Sequence, residues 1–123
     1  MESVRVLIVD DLAFMREAIR DILENSGITV AGEAPDGAAG IEAYIDLQPD
    51  VVLMDITMPV MNGLNALKGI RKKDPNAVVV MCSALGQQEY VIRAIQLGAR
   101  DFIVKPFRSE RIVNAVRRAA VGR

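Results

Sequence analysis

Five short runs of apolar, mostly β-branched residues recur along the sequence, and each is followed by a stretch whose apolar residues have helical spacing. The predicted strands span residues 4–10, 28–34, 50–55, 77–82 and 101–105. Strands that alternate with helices build a parallel sheet that is covered on both faces, through right-handed crossovers. We therefore predict the α/β class: a doubly wound, five-stranded parallel sheet with helices on both faces.

The residues that flank the predicted helices agree with this alternation. Gly27 and Gly98 stand where glycines end helices in the left-handed conformation. Asp36, Asn62 and Ser109 are predicted to cap the starts of three helices. The apolar residues of the first and last helices repeat at helical spacing and predict one buried face on each. These residues are Met15, Ala18, Ile19, Ile22 and Leu23 in the first helix, and Ile112, Ala115, Val116, Ala119 and Ala120 in the last.

The composition excludes several classes of function. The 123 residues include no His and one Cys, so zinc sites, Ser-His-Asp triads and internal disulfides lack their usual residues. Cys82 lies in an apolar run and is expected to be a small buried residue. No apolar run approaches the ~20 residues of a membrane span, and no signal peptide is apparent. We expect a cytoplasmic protein without a membrane partner.

Charge is unevenly distributed although the net charge is −1. Residues 100–123 carry seven Lys and Arg against two Asp and Glu, a local charge of +5. This segment is too small to indicate a nucleic-acid partner by charge alone, and none is expected. A solvated helix face is the simpler interpretation, and a face for docking a partner is the alternative.

Polar residues follow four of the five predicted strands. The first strand ends in Asp10 and Asp11, the third ends in Asp55, Ser83 follows the fourth and Lys105 ends the fifth, whereas the end of the second strand looks undistinguished. In a sheet of strand order 2-1-3-4-5, which we predict here, the four polar ends are neighbours, and ligands bind at that edge. Any one of these residues alone would be read as a turn, a cap or a solvated side chain.

Together the five residues indicate phosphoryl chemistry. Two carboxylates about 5 Å apart repel by roughly 3 kcal/mol at an effective dielectric constant near 20, so three of them call for a cation. Hard oxygen ligands of this kind favour Mg²⁺. A partly exposed Asp beside such a cation, with an amine and a hydroxyl nearby, has the layout of a carboxylate phosphoacceptor.

The motifs themselves resemble those of a known family. The segments "VLIVDD", "DVVLMDITMPVMNG", "VVVMCSALGQ" and "ARDFIVKPF" are similar to response-regulator receiver domains over essentially the whole chain. The similarity is strongest to the chemotaxis response regulators of non-enteric bacteria, the CheY type, and it implies their flavodoxin-like fold. Any one motif would be weak, whereas the acid pair, D-x-x-M-P-x-x-N-G, S-A and K-P together are highly specific.

The resemblance implies a role for each residue of the acidic group. Asp55 is implied as the phosphoacceptor, which takes a phosphoryl group from the phosphohistidine of a histidine kinase. Asp11 and Asp55 are implied as direct Mg²⁺ ligands together with the backbone carbonyl of Thr57. Asp10 is implied to act mainly through a metal-bound water.

The resemblance also implies a switch. Ser83 and Lys105 are implied to bind phosphoryl oxygens, the Lys105–Pro106 peptide bond to be cis, and Phe102 to turn inward on activation. The surface of the fourth helix, fifth strand and fifth helix is then implied to change and dock a partner. That surface includes Gln87, Gln88, Tyr90, Ile95, Arg111, Arg117 and Arg118.

The expected partners are a sensor histidine kinase, a flagellar switch protein or another docking protein specific for the phosphorylated form, and a phosphatase. We expect one receiver domain over residues 1–123, a monomer, and a phosphoacceptor switch rather than an enzyme that acts on other molecules. The alternative is a receiver cut from a longer regulator, such as a methylesterase or a transcription factor.

Three other functions fit the residues less well. A haloacid-dehalogenase-type phosphatase needs D-x-D after the first strand, and Leu12 stands where its second carboxylate would be. A flavodoxin-like FMN site needs a phosphate loop there, which the acid pair would oppose. A degenerate receiver that only docks would not need the complete set of polar residues.

Overall fold

The computed structural model describes residues 3–84 and 86–121, and in them the predicted fold is confirmed. The strands are parallel and lie in the order β2-β1-β3-β4-β5. The elements are β1 (Arg5–Val9), α1 (Ala13–Asn25), β2 (Thr29–Ala34), α2 (Gly37–Leu47), β3 (Val51–Asp55), α3 (Gly63–Lys73), β4 (Val79–Ser83), α4 (Gln88–Gln96), β5 (Asp101–Val104) and α5 (Ser109–Val121). None of these helices is long and apolar enough to cross a membrane.

The strands fall within two residues of the predicted bounds. The differences lie where the chain leaves the ladder to make a turn. β1 ends at Val9 rather than at Asp10, and β5 ends at Val104 rather than at Lys105. Ser83, which was predicted to follow β4, is its last residue. The polar residues therefore stand at the carboxyl ends of the strands, as the fold predicts.

The sheet separates two layers of core. On one face the strands pack against α1 and α5, and on the other against α2, α3 and α4. Leu53 and Met54 of β3 are both fully buried and belong to opposite layers, as the alternation of a strand requires. Cys82 of β4 is buried as predicted, and burial raises the pKa of its thiol to about 12.

Burial on both faces holds for the central strands but not for the edges. β1, β3 and β4 are buried almost throughout, whereas β2 exposes parts of both its faces and β5 is only partly covered. An edge strand has a neighbour on one side only, and the helices cover it less completely.

Most of the predicted helix boundaries are confirmed. The side chains of Asp36 and Asn62 accept hydrogen bonds from the backbone three residues later, at 2.9 Å each. Gly27 and Gly98 have positive φ angles of 79° and 103°. The prediction for Ser109 is wrong, because α5 begins at Ser109 itself.

The predicted helix faces are confirmed except at one position. All five positions of the last helix are buried, and in α1 Ile19 and Leu23 are buried while Met15 and Ile22 are partly buried. Ala18 is exposed, contrary to the prediction. The core-facing stripe of α1 is narrower than its apolar spacing suggests.

Candidate functional site

Three carboxylates converge at the carboxyl edge of the sheet. One oxygen from each of Asp10, Asp11 and Asp55 lies within 4.8 Å of the others. The neighbouring strands β1 and β3 bring them together, since Val9 of β1 pairs with Met54 of β3. Asp10 is 2% exposed, Asp55 is half-buried and Asp11 is exposed at the rim. The convergence that the strand order predicts is therefore present.

Lys105 reaches this cluster from beyond β5. Its Nζ donates to Oδ2 of Asp10 and to Oδ2 of Asp55, at 3.2 Å in each case. The backbone N–H of Lys105 donates to the carbonyl of Ser83 at 2.7 Å, which fixes the start of the loop. The Lys105–Pro106 peptide bond is cis, as the family resemblance implies. The ammonium thus bridges two carboxylates that come from different strands.

The protonation equilibria reflect this bridging. Burial raises the pKa of Asp55 above its usual range, and the neighbouring Asp10 and Asp11 raise it further against the opposing effect of Lys105. Burial alone would lower the pKa of Lys105, but the carboxylates of Asp55 and Asp10 outweigh it and the pKa is raised. A carboxylate with a raised pKa and surplus negative charge around it is a better nucleophile and a better cation ligand than an isolated one.

Hydrogen bonds hold both carboxylate oxygens and the backbone carbonyl oxygen of Asp10. Its Oδ1 accepts from the backbone N–H of Leu12 at 2.9 Å, and its Oδ2 accepts from Lys105. Its carbonyl oxygen accepts from Nη1 of Arg16 at 2.7 Å. Both carboxylate oxygens of Asp10 are thus committed within the protein, whereas Asp11 faces the opening. This arrangement agrees with the prediction that Asp11 contacts a cation more directly than Asp10 does, which stays a prediction.

The predicted switch residues lie on β4 and β5, on the side of β3 from which Lys105 reaches the acidic cluster. Ser83 is 1% exposed, and its Oγ has no hydrogen-bond partner among the described residues. Phe102 pairs with Met81 of β4 across the sheet and is partly buried against the core. Thr57 lies in the loop after β3 and is exposed, and its Oγ1 accepts from Nε2 of Gln87 at 2.8 Å.

The end of β2 is more involved than the sequence suggested. Glu33 accepts from Nε of Arg16 at 3.0 Å and from Nε of Arg20 at 2.8 Å. Burial would raise the pKa of Glu33, but the hydrogen bonds and charges of the two arginines lower it. Because Arg16 also holds the carbonyl of Asp10, this network ties β2 to the acidic turn. Two arginines one helical turn apart on α1 were the signal that sequence reasoning missed.

Gly63 explains why the motif after Asp55 ends in glycine. Its backbone N–H donates to the carbonyl of Ile56 at 2.7 Å. A Cβ at this position would clash with the carbonyl oxygen of Asp55 and would lie 2.9 Å from Cα of Ile56. The first turn of α3 therefore packs directly beneath the backbone that carries Asp55, and only glycine fits there.

A groove of about 520 Å³ lies between α4 and β5 and adjoins the acidic cluster through Ser83. Its apolar lining includes Val91, Ile92, Ile95, Phe102 and Val104. Ile92 and Ile95 are 60% and 46% exposed. Contiguous exposed apolar side chains of this kind are typical of a docking surface.

The donor set of the cluster fits Mg²⁺. Carboxylate oxygens of Asp10, Asp11 and Asp55 are hard ligands at one rim, and Asp11 leaves the rim open to water. Mg²⁺ is held by one or two carboxylates while it retains several waters. No histidine or second cysteine is available to favour a softer metal.

Comparisons with known proteins agree with the geometry. The family model for the response regulator receiver domain matches residues 6–117. The chain is 56% identical to chemotaxis protein CheY of Thermotoga maritima, over 94% of this chain and 97% of that one, and 55% identical to chemotaxis protein CheY of Bacillus subtilis, over 91% and 93%.

Solved structures give the same result. The response regulator domain of Thermotoga maritima CheB has a TM-score of 0.90 at 40% identity and covers 98% of each chain. CheY in the CheX-CheY-BeF₃-Mg²⁺ complex of Borrelia burgdorferi has a TM-score of 0.88 at 36% identity and covers 92% of this chain and 86% of that one. This chain therefore belongs to the response regulator receiver domain family.

Proposed function

We propose that this protein is a phosphorylation switch of a two-component chemotaxis system, with Asp55 as the phosphoacceptor. The observation that carries the proposal is the cluster of Asp10, Asp11 and Asp55 within 4.8 Å, bridged by Lys105. Such a cluster concentrates charge around one half-buried nucleophile. The relatives named CheY, at 50–56% identity over most of the chain, support the chemotaxis assignment.

The chemistry follows from the groups present. An oxygen of the Asp55 carboxylate attacks the phosphorus of a histidine kinase's phosphohistidine, the P–O bond forms as the P–N bond breaks, and the imidazole leaves with the electron pair and takes a proton from solvent. Asp11, Asp55 and the backbone carbonyl of Thr57 would hold Mg²⁺, which would supply positive charge to neutralise the phosphoryl oxygens. Lys105 already contacts Asp55 and is placed to bind another of those oxygens.

Ser83 supplies the link from chemistry to conformation. Its hydroxyl is buried without a partner in the described residues and gains an acceptor when a phosphoryl group stands on Asp55. Movement of Ser83 shifts the loop after β4 and the lining of the groove between α4 and β5, where Phe102 lies. The protein in this proposal catalyses only its own phosphorylation and dephosphorylation.

The groove and α5 are the proposed output surface. A flagellar switch protein or another protein specific for the phosphorylated state would dock there, and a phosphatase would end the signal. The complex of a related CheY with CheX, BeF₃ and Mg²⁺ supports the existence of such partners. We further propose that residues 1–123 act as one monomeric receiver domain.

Intact-mass measurement after incubation with acetyl phosphate and Mg²⁺ tests the chemistry. We expect one added phosphoryl group that is labile to hydroxylamine, and none in Asp55→Ala. Asp46→Ala, on the exposed face of α2, is the control and should be labelled normally. Uptake by Asp55→Ala, or uptake without Mg²⁺, would contradict the proposal.

Two further variants separate the roles of the acid pair. Asp11→Ala should weaken Mg²⁺ binding more than Asp10→Ala, because both oxygens of Asp10 are already engaged by Leu12 and Lys105. Mg²⁺ titration followed by NMR measures the difference. Equal losses, or a larger loss for Asp10→Ala, would reverse the assignment.

A further inference from the structure

The side chain of Gln87 joins two loops of the candidate site. Its Nε2 donates to Oγ1 of Thr57 at 2.8 Å, and its Oε1 accepts from the backbone N–H of Ala84 at 2.7 Å. Thr57 lies two residues after Asp55, and Ala84 directly follows Ser83. One side chain therefore connects the loop that carries the phosphoacceptor with the loop that carries the switch hydroxyl.

This bridge is not part of the capping of α4. Gln87 occupies the N-cap position of α4, but its side chain makes no capping hydrogen bond. Its backbone carbonyl accepts from the N–H groups of Tyr90 and Val91, and those bonds do not depend on the side chain. Both polar ends of the side chain are instead directed away from the helix, and holding them there costs side-chain entropy. Removal of the side chain should leave the helix start intact.

The hydroxyl of Ser83 has no partner among the described residues while Gln87 connects the two loops. Ser83 Oγ is buried and makes no hydrogen bond among the described residues, although the adjacent N–H of Ala84 is bonded to Gln87. Two good hydrogen bonds thus hold the loop in a position that leaves one hydroxyl unsatisfied. In the proposed switch Ser83 moves toward an acceptor on Asp55. Because Ala84 directly follows Ser83, this movement would change the distances of the bridge.

We propose that Gln87 is a positioning residue, a latch that holds the Ser83 loop to the Asp55 loop in the resting state and opens on activation. The proposal rests on the phosphorylation switch proposed above. Contacts that exist only in the resting state oppose the active state by the free energy they contribute. The latch therefore sets how much phosphoryl or phosphoryl analogue is needed to activate the protein.

Titration with beryllofluoride in Mg²⁺, followed by the amide NMR signals of α4 and β5, measures the effect. Gln87→Ala should bind beryllofluoride about fivefold more tightly than wild type, which is the effect of about one net hydrogen bond. Asn25→Ala, which removes an exposed side-chain amide at the end of α1, away from the groove and the acidic cluster, is the control and should bind as wild type does.

The partner of the bridge gives an independent pair of variants. Thr57→Val removes the hydroxyl and keeps the backbone carbonyl and the branched shape, so it should tighten binding as Gln87→Ala does. Thr57→Ser retains the hydroxyl and should therefore not tighten binding as Thr57→Val does. The double variant Gln87→Ala, Thr57→Val should be no tighter than Gln87→Ala alone, because Gln87→Ala already removes the contact to Thr57.

Hydrogen exchange of the Ala84 amide tests the latch without phosphoryl chemistry. In the resting protein this amide should exchange about tenfold faster in Gln87→Ala than in wild type or Asn25→Ala, because its acceptor is gone. Unchanged exchange would show that no latch exists at rest and would overturn the proposal.

The outcomes separate the two proposals. If wild type shows no Mg²⁺-dependent response to beryllofluoride, the phosphorylation switch fails and the latch fails with it. If wild type responds and Gln87→Ala responds equally or more weakly, only the latch is overturned. If Thr57→Ser tightens binding as much as Thr57→Val does, the hydroxyl is irrelevant and the latch is again overturned.

Discussion

The amino-terminal and carboxyl-terminal ends of the same strands form two edges of the sheet, and their polar groups are paired in different ways. At the amino-terminal edge, Arg5 donates to Asp50 and to the carbonyls of Leu47 and Gln48, at 2.8 to 3.1 Å. Tyr44 donates to Asp74 at 2.6 Å. The bonds of Arg5 join the start of β1 to the end of α2 and to the residue before β3, and the bond of Tyr44 joins α2 to the end of α3. They pair each polar group with a partner of complementary chemistry.

The carboxyl edge gathers groups that oppose one another. Lys105 bridges two of the three carboxylates, the hydroxyl of Ser83 is unsatisfied within the described chain, and Val60 has a φ of 66°. That region is unfavourable for a β-branched residue. The amino-terminal edge thus stabilises the fold, while the carboxyl edge retains unfavourable contacts that a cation and a phosphoryl group can relieve. Four variants test this difference, from the largest expected effect to the smallest.

Gly63→Ala should destabilise the protein most, by about 3 kcal/mol, because its Cβ would clash with the backbone of Asp55 and Ile56. Urea unfolding followed by circular dichroism measures it. Gly69→Ala in the same helix is the control, since its Cβ meets only the flexible side chain of Ile41, and it should change the free energy of unfolding little. Equal losses of stability at the two positions would show that the close packing beneath Asp55 does not cause the loss in Gly63→Ala.

Lys105→Met should cost about 2 kcal/mol of stability in the absence of Mg²⁺, since it leaves Asp10 and Asp55 without their shared cation. Added Mg²⁺ should restore part of the loss. Lys72→Met, on the exposed surface of α3, should change the free energy of unfolding by less than about 0.5 kcal/mol. If the variant is as stable as wild type without Mg²⁺, Lys105 is not needed to offset the repulsion between the carboxylates.

Tyr44→Phe at the opposite edge should cost about 1 kcal/mol near neutral pH, because a hydrogen bond to a charged carboxylate is lost. Tyr44 lowers the pKa of Asp74 below 3.8, so this stability is present above that pH and is lost as the pH falls through the lowered pKa. Urea unfolding at several pH values should show the variant and wild type converge in acid. Tyr90→Phe, at an exposed tyrosine, should show no such difference. A Tyr44→Phe loss that persists at low pH would assign the effect to packing.

Val60→Asn should stabilise the protein by about 1 kcal/mol, since asparagine tolerates the left-handed region and Val60 is 84% exposed. Val60→Ala removes the β-branch but lacks the polar side chain that stabilises asparagine in this region, so it should gain less. Thermal unfolding of the two variants measures the order. If alanine stabilises as much as asparagine, the backbone conformation is not the source of the effect.

Much of the site could be predicted because its residues occupy fixed places in the βα pattern. Asp10, Asp55 and Ser83 each stand at the end of a strand, and strand order alone brings those ends together. The contacts of Gln87 and Glu33 were not predicted, for a different reason. Their roles depend on which way a long side chain points across a loop, and no periodicity encodes that direction.

The sequence by itself determined the fold class, the order of the elements and the set of polar groups at one edge, since apolar periodicity and strand ends are local properties. The tertiary structure decided which groups pair. It placed Lys105 between Asp10 and Asp55, left Ser83 Oγ unpaired within the described chain and joined Gln87 to Thr57. Those contacts link residues 30 to 95 positions apart, so their distances depend on how the whole sheet twists and packs.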